Sequence, residues 1–573
     1  MTLTTTRPTP PGAETVQKAP ASRIGWVLAA GWVVHLLLRL WLARWRTGPV
    51  ANPDETGYLL AARWLAGGAG GDMSGSTFYQ GGYPLLLTPA FWFTHDPALA
   101  YRLVVGVGAV VGAALFPLGY LALRRLGSGS GATCALAFVA TLLPATVFFG
   151  QFALADAVLP TLVLAWLLAL DAFVRSGAAA SGVLASVLAG YGFAVHLRGT
   201  VIFVVHLAMS VLLVAGRKVP RKAGLVAVAV AVMTGTAGYV LNAELQAALY
   251  PDGIRDLTGL LRTRVTSFDG QLRALSGALG QLWYLVVSTW GLAGAGLAAG
   301  VAAVVRRRAP LRLRVAATAL LVTTAGIAYA SSAALPDEQR VGNYVYGRYL
   351  ACVAIAWALA GLAVLARTSG KTAARHALAS AVLLAVTGTA AALYAGDRIR
   401  RYNFVAFDFP ETSFLTGRYD ALNMMGASAA AAGLLACFAV SVLSRFRVPL
   451  LSAALAVVNV LFAAVLAGQS STPTGGGWIP PLHGGGVAVE RGVDWRARIS
   501  LAYHVWWTEI RRFDVTRESP PPGTCTVVVP WPDGREATES WPSRPQGWVM
   551  AGSGRPPRGW VAWSDPACAG RAP

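Results

Sequence analysis

The sequence predicts an all-α polytopic membrane bundle of about 13 transmembrane helices, followed by a small extracytoplasmic β-rich domain. Three observations predict it. Thirteen apolar stretches run through a chain of 573 residues that is 55% hydrophobic and 13% charged, too apolar for one soluble core and too long for a single-span anchor. Basic residues collect in every second gap between the stretches. Beyond Gly468 the composition turns to Gly, Pro and Trp.

Taken in order, Met1 to Ser22 are rich in Thr, Pro and Ala, lack an apolar core and read as a disordered cytoplasmic tail over 1–22. The run that follows is too long for a cleavable signal and has no small-residue cleavage site. Residues 23–468 form the membrane domain. Its spans fall near 25–45, 99–123, 131–150, 153–174, 181–197, 200–216, 223–243, 278–304, 315–334, 349–366, 376–395, 421–443 and 448–468.

The basic gaps hold Arg124-Arg125, Arg175, Arg217 to Lys222, Arg306 to Arg314, Arg367 to Arg375, and Arg445 with Arg447. The positive-inside rule makes these loops cytoplasmic, so the amino terminus lies inside and, with an odd span count, the carboxyl end lies outside. The expected place is the plasma (inner) membrane. The net charge of +21 is then topology rather than a sign of a nucleic-acid partner.

The alternate loops carry the unusual polar residues. The first, 46–98, holds Asp54, Glu55, Asp72, Gln80 and His95, and others lie at 244–277, 335–348 and 396–420. Long loops in a compact chain are usually functional. No P-loop, GxGxxG or HExxH is visible, which argues against an ATP-driven pump.

Residues 469–573 form the exported domain, with nine of the nineteen tryptophans between Trp478 and Trp563. Thr524 to Val529 and Gly559 to Trp563 read as short strands. The tryptophans either fill a small core or stack on sugar or the membrane surface. Cys134, Cys352 and Cys437 lie in apolar stretches as small hydrophobes, whereas Cys525 and Cys568 can pair if the tail is exported.

Asn52-Pro53-Asp54-Glu55 precedes a run, Tyr58 to Leu65, with Leu59, Ala62 and Leu65 on one face. Asn52 with Glu55 makes a capping-box pattern and Pro53 suits the first helical position, which predicts a short interfacial helix. The two acids could serve only as its caps. Capping and catalysis are compatible, because a rigid helix start aims a carboxylate.

The order of these features resembles the type C (GT-C) membrane glycosyltransferases, which include the protein O-mannosyltransferases and the bacterial aminoarabinose transferases. The acids of the first exported loop, the interfacial helix, the Phe78-Tyr79-Gln80-Gly81-Gly82-Tyr83-Pro84-Leu85 segment and the multi-span bundle carry the likeness over 25–468, with the Trp-rich tail outside it. Where some relatives have a basic residue in the aromatic segment, this chain has Gln80 or Gly. The resemblance also implies roles for Arg102 at the start of the second span, Asp156 as a second acid at an exported turn, and Arg198 in His196-Leu197-Arg198-Gly199-Thr200.

Chemistry outside the cytoplasm leads the same way. Nucleotide sugars are absent there, so the donor is a sugar on a polyprenyl phosphate. A carboxylate takes the proton of an acceptor hydroxyl as its oxygen attacks the anomeric carbon and phosphate leaves, which inverts that centre. Asp54 is the expected base, with Glu55 beside it. Asp156 orients the acceptor or pairs with an arginine. The leaving phosphate needs permanent cations, for which Arg102, Arg198, Arg340 and Arg348 with Tyr346 are the candidates. The bland alternative for each arginine is a snorkelling anchor.

His95, His196 and His206 read as structural, and Arg400-Arg401-Tyr402 as surface charge. No required metal or other cofactor is expected, although Asp54, Glu55 and Asp156 offer hard oxygen ligands to a divalent cation. Expected partners are the lipid-linked donor, membrane lipid, and a glycan, lipid or protein acceptor. Two other readings compete. A transporter or lipid flippase should show charges near the bilayer midplane. A non-enzymatic cell-wall assembly protein would depend on the tail rather than on Asp54.

Overall fold

The computed structural model describes residues 21–306, 308–468, 486–504, 508, 510–531, 534–554 and 559–568. The expected tail over 1–22 and Trp478 therefore lie almost wholly or entirely outside the described residues. Among the described residues ten helices are long and apolar enough to cross a membrane, from Arg23–Leu42 to Arg447–Gly468, or up to twelve if each of two bent pairs is one span. The shorter apolar helix Ala179–Val195 occupies the remaining expected span. The chain is an integral membrane protein built as a helical bundle.

Two expected spans are not straight. The 131–150 stretch bends by 64° between Thr133–Ala140 and Pro144–Gln151, where Pro144 cannot continue the preceding helix. The 278–304 stretch breaks by 115° between Phe268–Ser288 and Leu292–Val305. At that break Trp290 and Gly291 both take left-handed backbone, φ 56° and 82°. The Trp290 indole is buried and donates to Asn459 Oδ1 (3.0 Å), which anchors the corner against the last span.

The helix Asp54–Leu65 begins with Pro53 just before it, and no side chain caps it. The expected capping box is therefore not formed. Glu55 instead reaches back to the Val50 and Ala51 amides (2.7 and 2.8 Å). Nor is this helix half-exposed at an interface: Glu55 to Arg63 are all buried. It is enclosed between Gly82–Phe93 and the C-terminal helix Trp495–His504.

Among the described residues after the bundle are five strands, β1 (Gly486–Glu490), β2 (Ile510–Phe513), β3 (Thr524–Pro530), β4 (Val549–Gly554) and β5 (Trp560–Ser564). They form one mixed sheet in the order β2-β1-β3-β5-β4. The first three are parallel, β1 crossing to β2 through Trp495–His504, and β5 pairs antiparallel with β3 and β4. Cys525 and Cys568 are disulfide-bonded, 5.8 Å apart at Cα, tying β3 to the turn after β5. Trp541, Trp560 and Trp563 are buried against the sheet.

This sheet sits on the loops of one bundle end. Arg512 donates to Asp72 (2.9 Å) and to Asp252, Arg498 donates to the carbonyls of Asp72 and Ser74 (3.1 and 2.7 Å), and Arg63 donates to Ala502 O (3.2 Å). At the opposite bundle end the basic loops meet: Arg125 and Arg312 bind Asp171, and Arg367 caps the carbonyl of Leu126.

Candidate active site

Four chain segments deliver charged side chains to one place, each from the start of a helix. Asp54 opens Asp54–Leu65. Asp156 lies in the 3-10 turn Ala155–Ala157 before Leu159–Ser176. Arg198 is the second residue of Leu197–Ala215, whose start is capped by the His196 ring. Arg348 lies in the 3-10 turn Gly347–Leu350 before Ala351–Arg367. Helix starts present unpaired N–H groups and positive dipole ends, so their convergence favours anions.

The side chains form a continuous ladder. Arg198 Nη1 donates to Asp156 Oδ1 (2.8 Å) and to the Arg348 carbonyl (3.3 Å). Arg348 Nε donates to Asp156 Oδ2 (3.0 Å), and its Nη1 donates to Asp54 Oδ2 (2.7 Å). The Tyr79 hydroxyl completes it by donating to Asp54 Oδ1 (3.2 Å). Exposure falls steeply along the ladder: 38% for the Asp54 side chain, 8% for Arg348 and 3–4% for Asp156 and Arg198. Asp54 is thus the end that an incoming molecule meets, and the rest is an electrostatic frame behind it.

The frame fixes protonation. Burial alone would raise the Asp156 carboxyl, but Arg198 and then Arg348 overcome it and hold the group below the ordinary carboxylate range. Burial, reinforced by Arg198, depresses the His196 imidazole well below its usual value, which keeps Nδ1 free to accept from the Arg198 amide (3.1 Å). Burial and then Asp54 push the Tyr79 phenol far up, so it remains a donor. Gly347 lies so close to the Tyr284 ring that any Cβ would collide with it, which pins the turn carrying Arg348.

The other expected residues are placed as follows. Glu55 is fully buried, and its carboxylate accepts from the amides of Val50, Ala51 and Ala153 (2.7, 2.8 and 2.8 Å) and from the Tyr101 hydroxyl. Four donors occupy it, and none of them belongs to the ladder. Arg102 is exposed on the helix Pro97–Ala113 and is not brought to the ladder. Arg340 is half-exposed beside Glu338 (3.5 Å). The Tyr346 ring packs against Tyr349, 4.6 Å between centroids. Among the described residues no group of three or more His, Cys, Asp or Glu side chains clusters as a metal-binding set.

One group at the site was not singled out in sequence. Asp408, buried in the turn Ala406–Asp408, has Arg348, Arg340, Asp54 and Tyr346 as its electrostatic neighbours. Burial, opposed by Arg348, raises its carboxyl to about 6. Three residues on, Glu411 is buried and accepts from the Tyr284 hydroxyl (2.6 Å), and burial raises it to about 7. The signal was present in Phe407-Asp408-Phe409-Pro410-Glu411, two acids among aromatics in the loop over 396–420.

Beside the ladder runs an apolar groove of about 210 Å³ lined by Phe148, Phe152, Phe407, Phe414 and Phe462, with Arg46 at its rim. The Arg46 guanidinium lies over the Phe152 ring (4.5 Å), and Arg348 lies over Phe149 (5.6 Å), whose ring neighbours Phe407 (5.7 Å). Groove and ladder therefore share one aromatic wall.

No protein-family model matches this sequence, and no curated protein does. Solved structures do. The chain is similar to ArnT from Cupriavidus metallidurans bound to undecaprenyl phosphate, at TM-score 0.51 and 14% identity over 96% of this chain and 100% of that one. The apo state of the same protein matches at TM-score 0.52 and 15% identity, with the same coverage. The arabinosyltransferase EmbB from Mycobacterium smegmatis matches at TM-score 0.43 and 15% identity, over 95% of this chain and 48% of that one. The ArnT comparisons show that this chain shares the fold of ArnT, in line with the resemblance drawn from the sequence. Coverage of 96% carries the likeness past Gly468, so the C-terminal residues are not outside it as the sequence motifs suggested.

Proposed function

We propose that this chain is a membrane glycosyltransferase that moves a sugar from a polyprenyl-phosphate donor to an extracytoplasmic acceptor by a single inverting displacement. One observation carries the reading: a partly exposed carboxylate, Asp54, held 2.7 Å from Arg348 at the mouth of a buried Asp156–Arg198 frame. The similar ArnT structure with bound undecaprenyl phosphate supports a lipid phosphate as the leaving group. In this reading the groove at Phe148, Phe407 and Phe462 takes the first isoprene units, and the exported side is the end carrying the sheet.

The acceptor hydroxyl approaches Asp54. Its oxygen forms a bond to the anomeric carbon while the bond from that carbon to the phosphate oxygen breaks. The electron pair leaves with the phosphate, and the hydroxyl proton passes to Asp54. Arg348 stabilises the charge growing on the phosphate, and Arg198 acts through Asp156 by holding Arg348 in place. An arriving phosphate competes with Asp54 for the Arg348 guanidinium, which loosens the resting ion pair when a base is needed. Glu55 fastens the loop that carries Asp54.

A transporter reading fits less well, because the ladder stands at helix starts rather than mid-span. The test is transfer of radiolabel from polyprenyl-phosphate sugars by purified protein. Asp54→Asn should lower the rate by about 10²–10⁴-fold, and Arg348→Lys should slow it while retaining donor binding. Equal transfer by wild type and Asp54→Asn removes Asp54 from the mechanism.

A further inference from the structure

At the basic end of the bundle, far from the ladder, lies a second cavity, of about 420 Å³. The helix Leu159–Ser176 measures the separation: Asp156 precedes its start and Asp171 sits near its end, about 22 Å of helical rise away. Leu164, Leu167, Leu320 and Trp357 wall the cavity, and small side chains such as Ala317 and Ala360 leave the space between the helices. Its volume is that of a ligand site rather than a packing defect.

The rim is cationic. Arg125 and Arg312 both donate to Asp171 (3.1 and 3.2 Å), and Arg367 completes the lining. Two guanidinium groups thus share one carboxylate and a third lines the same mouth, a formal excess of two positive charges at an apolar chamber. Arg125 Nε is buried and has no hydrogen-bond partner among the described residues. Neither water nor a bare anion satisfies both parts: the walls offer no hydrogen bonds, and the rim calls for an acceptor with negative charge. An amphiphile with a phosphate head and a hydrocarbon tail satisfies both, and basic pockets between spans on the cytoplasmic side suit such heads.

We propose that this cavity binds an anionic glycerophospholipid of the adjoining leaflet, with its phosphate among Arg125, Arg312 and Arg367 and an acyl chain between the helices. The site is independent of the transfer reaction proposed above, and its test does not require activity.

Purified full-length protein in detergent is titrated with phosphatidylglycerol, phosphatidylcholine, polyprenyl phosphate or inorganic phosphate, and bound species are counted by native mass spectrometry. Phosphatidylglycerol should bind about tenfold or more tightly than phosphatidylcholine. The double variant Arg312→Gln/Arg367→Gln should lose that preference, and Ala360→Phe should block the chamber and remove the bound lipid. Should Ala360→Phe not fold, the arginine variant with Arg125–Asp171 intact decides, read by loss of the melting-temperature rise that phosphatidylglycerol gives wild type. Equal retention of the two phospholipids, undiminished binding by the variants, or displacement of phosphatidylglycerol by inorganic phosphate or polyprenyl phosphate would each overturn the assignment.

Discussion

Asp54 and Glu55 are chain neighbours with opposite surroundings, and their variants should separate cleanly. Asp54→Asn keeps a hydrogen-bonding side chain at the partly exposed end of the ladder, with Arg348 still paired to Asp156, and should change the melting temperature little while transfer collapses. Glu55→Ala strands four donors, those of Ala153 and Tyr101 buried, and should cost about 3 kcal/mol of stability, read by thermal unfolding in detergent. Asp156→Asn leaves Arg198 and Arg348 without their shared counter-charge and should cost roughly 3–5 kcal/mol. Because Asp156 is held below its unfolded value, its contribution is complete above about pH 4 and fades as pH falls through the lowered folded value. Asp408 has the opposite sign: raised to about 6, it binds its proton more tightly when folded, so stability drops as pH climbs from about 4 to 6. Asp408→Asn should flatten that stretch of the stability profile, and an unchanged profile would show that Asp408 is not the titrating group. Asp54, Asp156, Arg198 and Arg348 were legible as residue types because charges at span boundaries are rare and expensive. That they touch was not, since the partners stand 42 to 294 residues apart.

Elements were legible where one local property decides them. Span length and apolar composition are such properties, and every expected span has a helix in its place. The corner at Trp290-Gly291 escaped notice because both residues are at home in an apolar run and only the backbone reveals the turn. Gly291 has φ 82°, and a Cβ there would meet the Leu435 side chain at 2.8 Å. Gly291→Ala should therefore destabilise the bundle by about 1–3 kcal/mol, measured by the same unfolding assay. An unaffected protein would mean that the two helices can run on as one span. The helix Asp54–Leu65 read as amphipathic for a comparable reason: the surface covering its second face comes from Ala502 and its neighbours, 439 residues after Arg63.

In the molecule as a whole, the sheet works as a clasp across three loops at one bundle end. Asp72 is its main fixing point on the first loop, receiving Arg512 and lying 3.5 Å from Arg498, while Glu338 meets Arg496 at 3.7 Å on another. Asp72→Ala uncouples two partly buried arginines and should weaken docking by about 3 kcal/mol. Limited proteolysis would then cut the C-terminal segment faster while the helices stay protected. Identical digestion of both proteins would show that the clasp is held elsewhere.

The ladder also sets a timetable for biosynthesis. Asp156 and Arg198 emerge early, yet Arg348 follows Arg198 by 150 residues, of order ten seconds of translation. During that interval an acid and a base wait at the membrane edge with an incomplete set of companions, shielded by water or by the insertion machinery. A nascent chain stalled before position 348 should therefore be cleared by quality-control proteases faster than one stalled after the helix Ala351–Arg367 has entered the membrane.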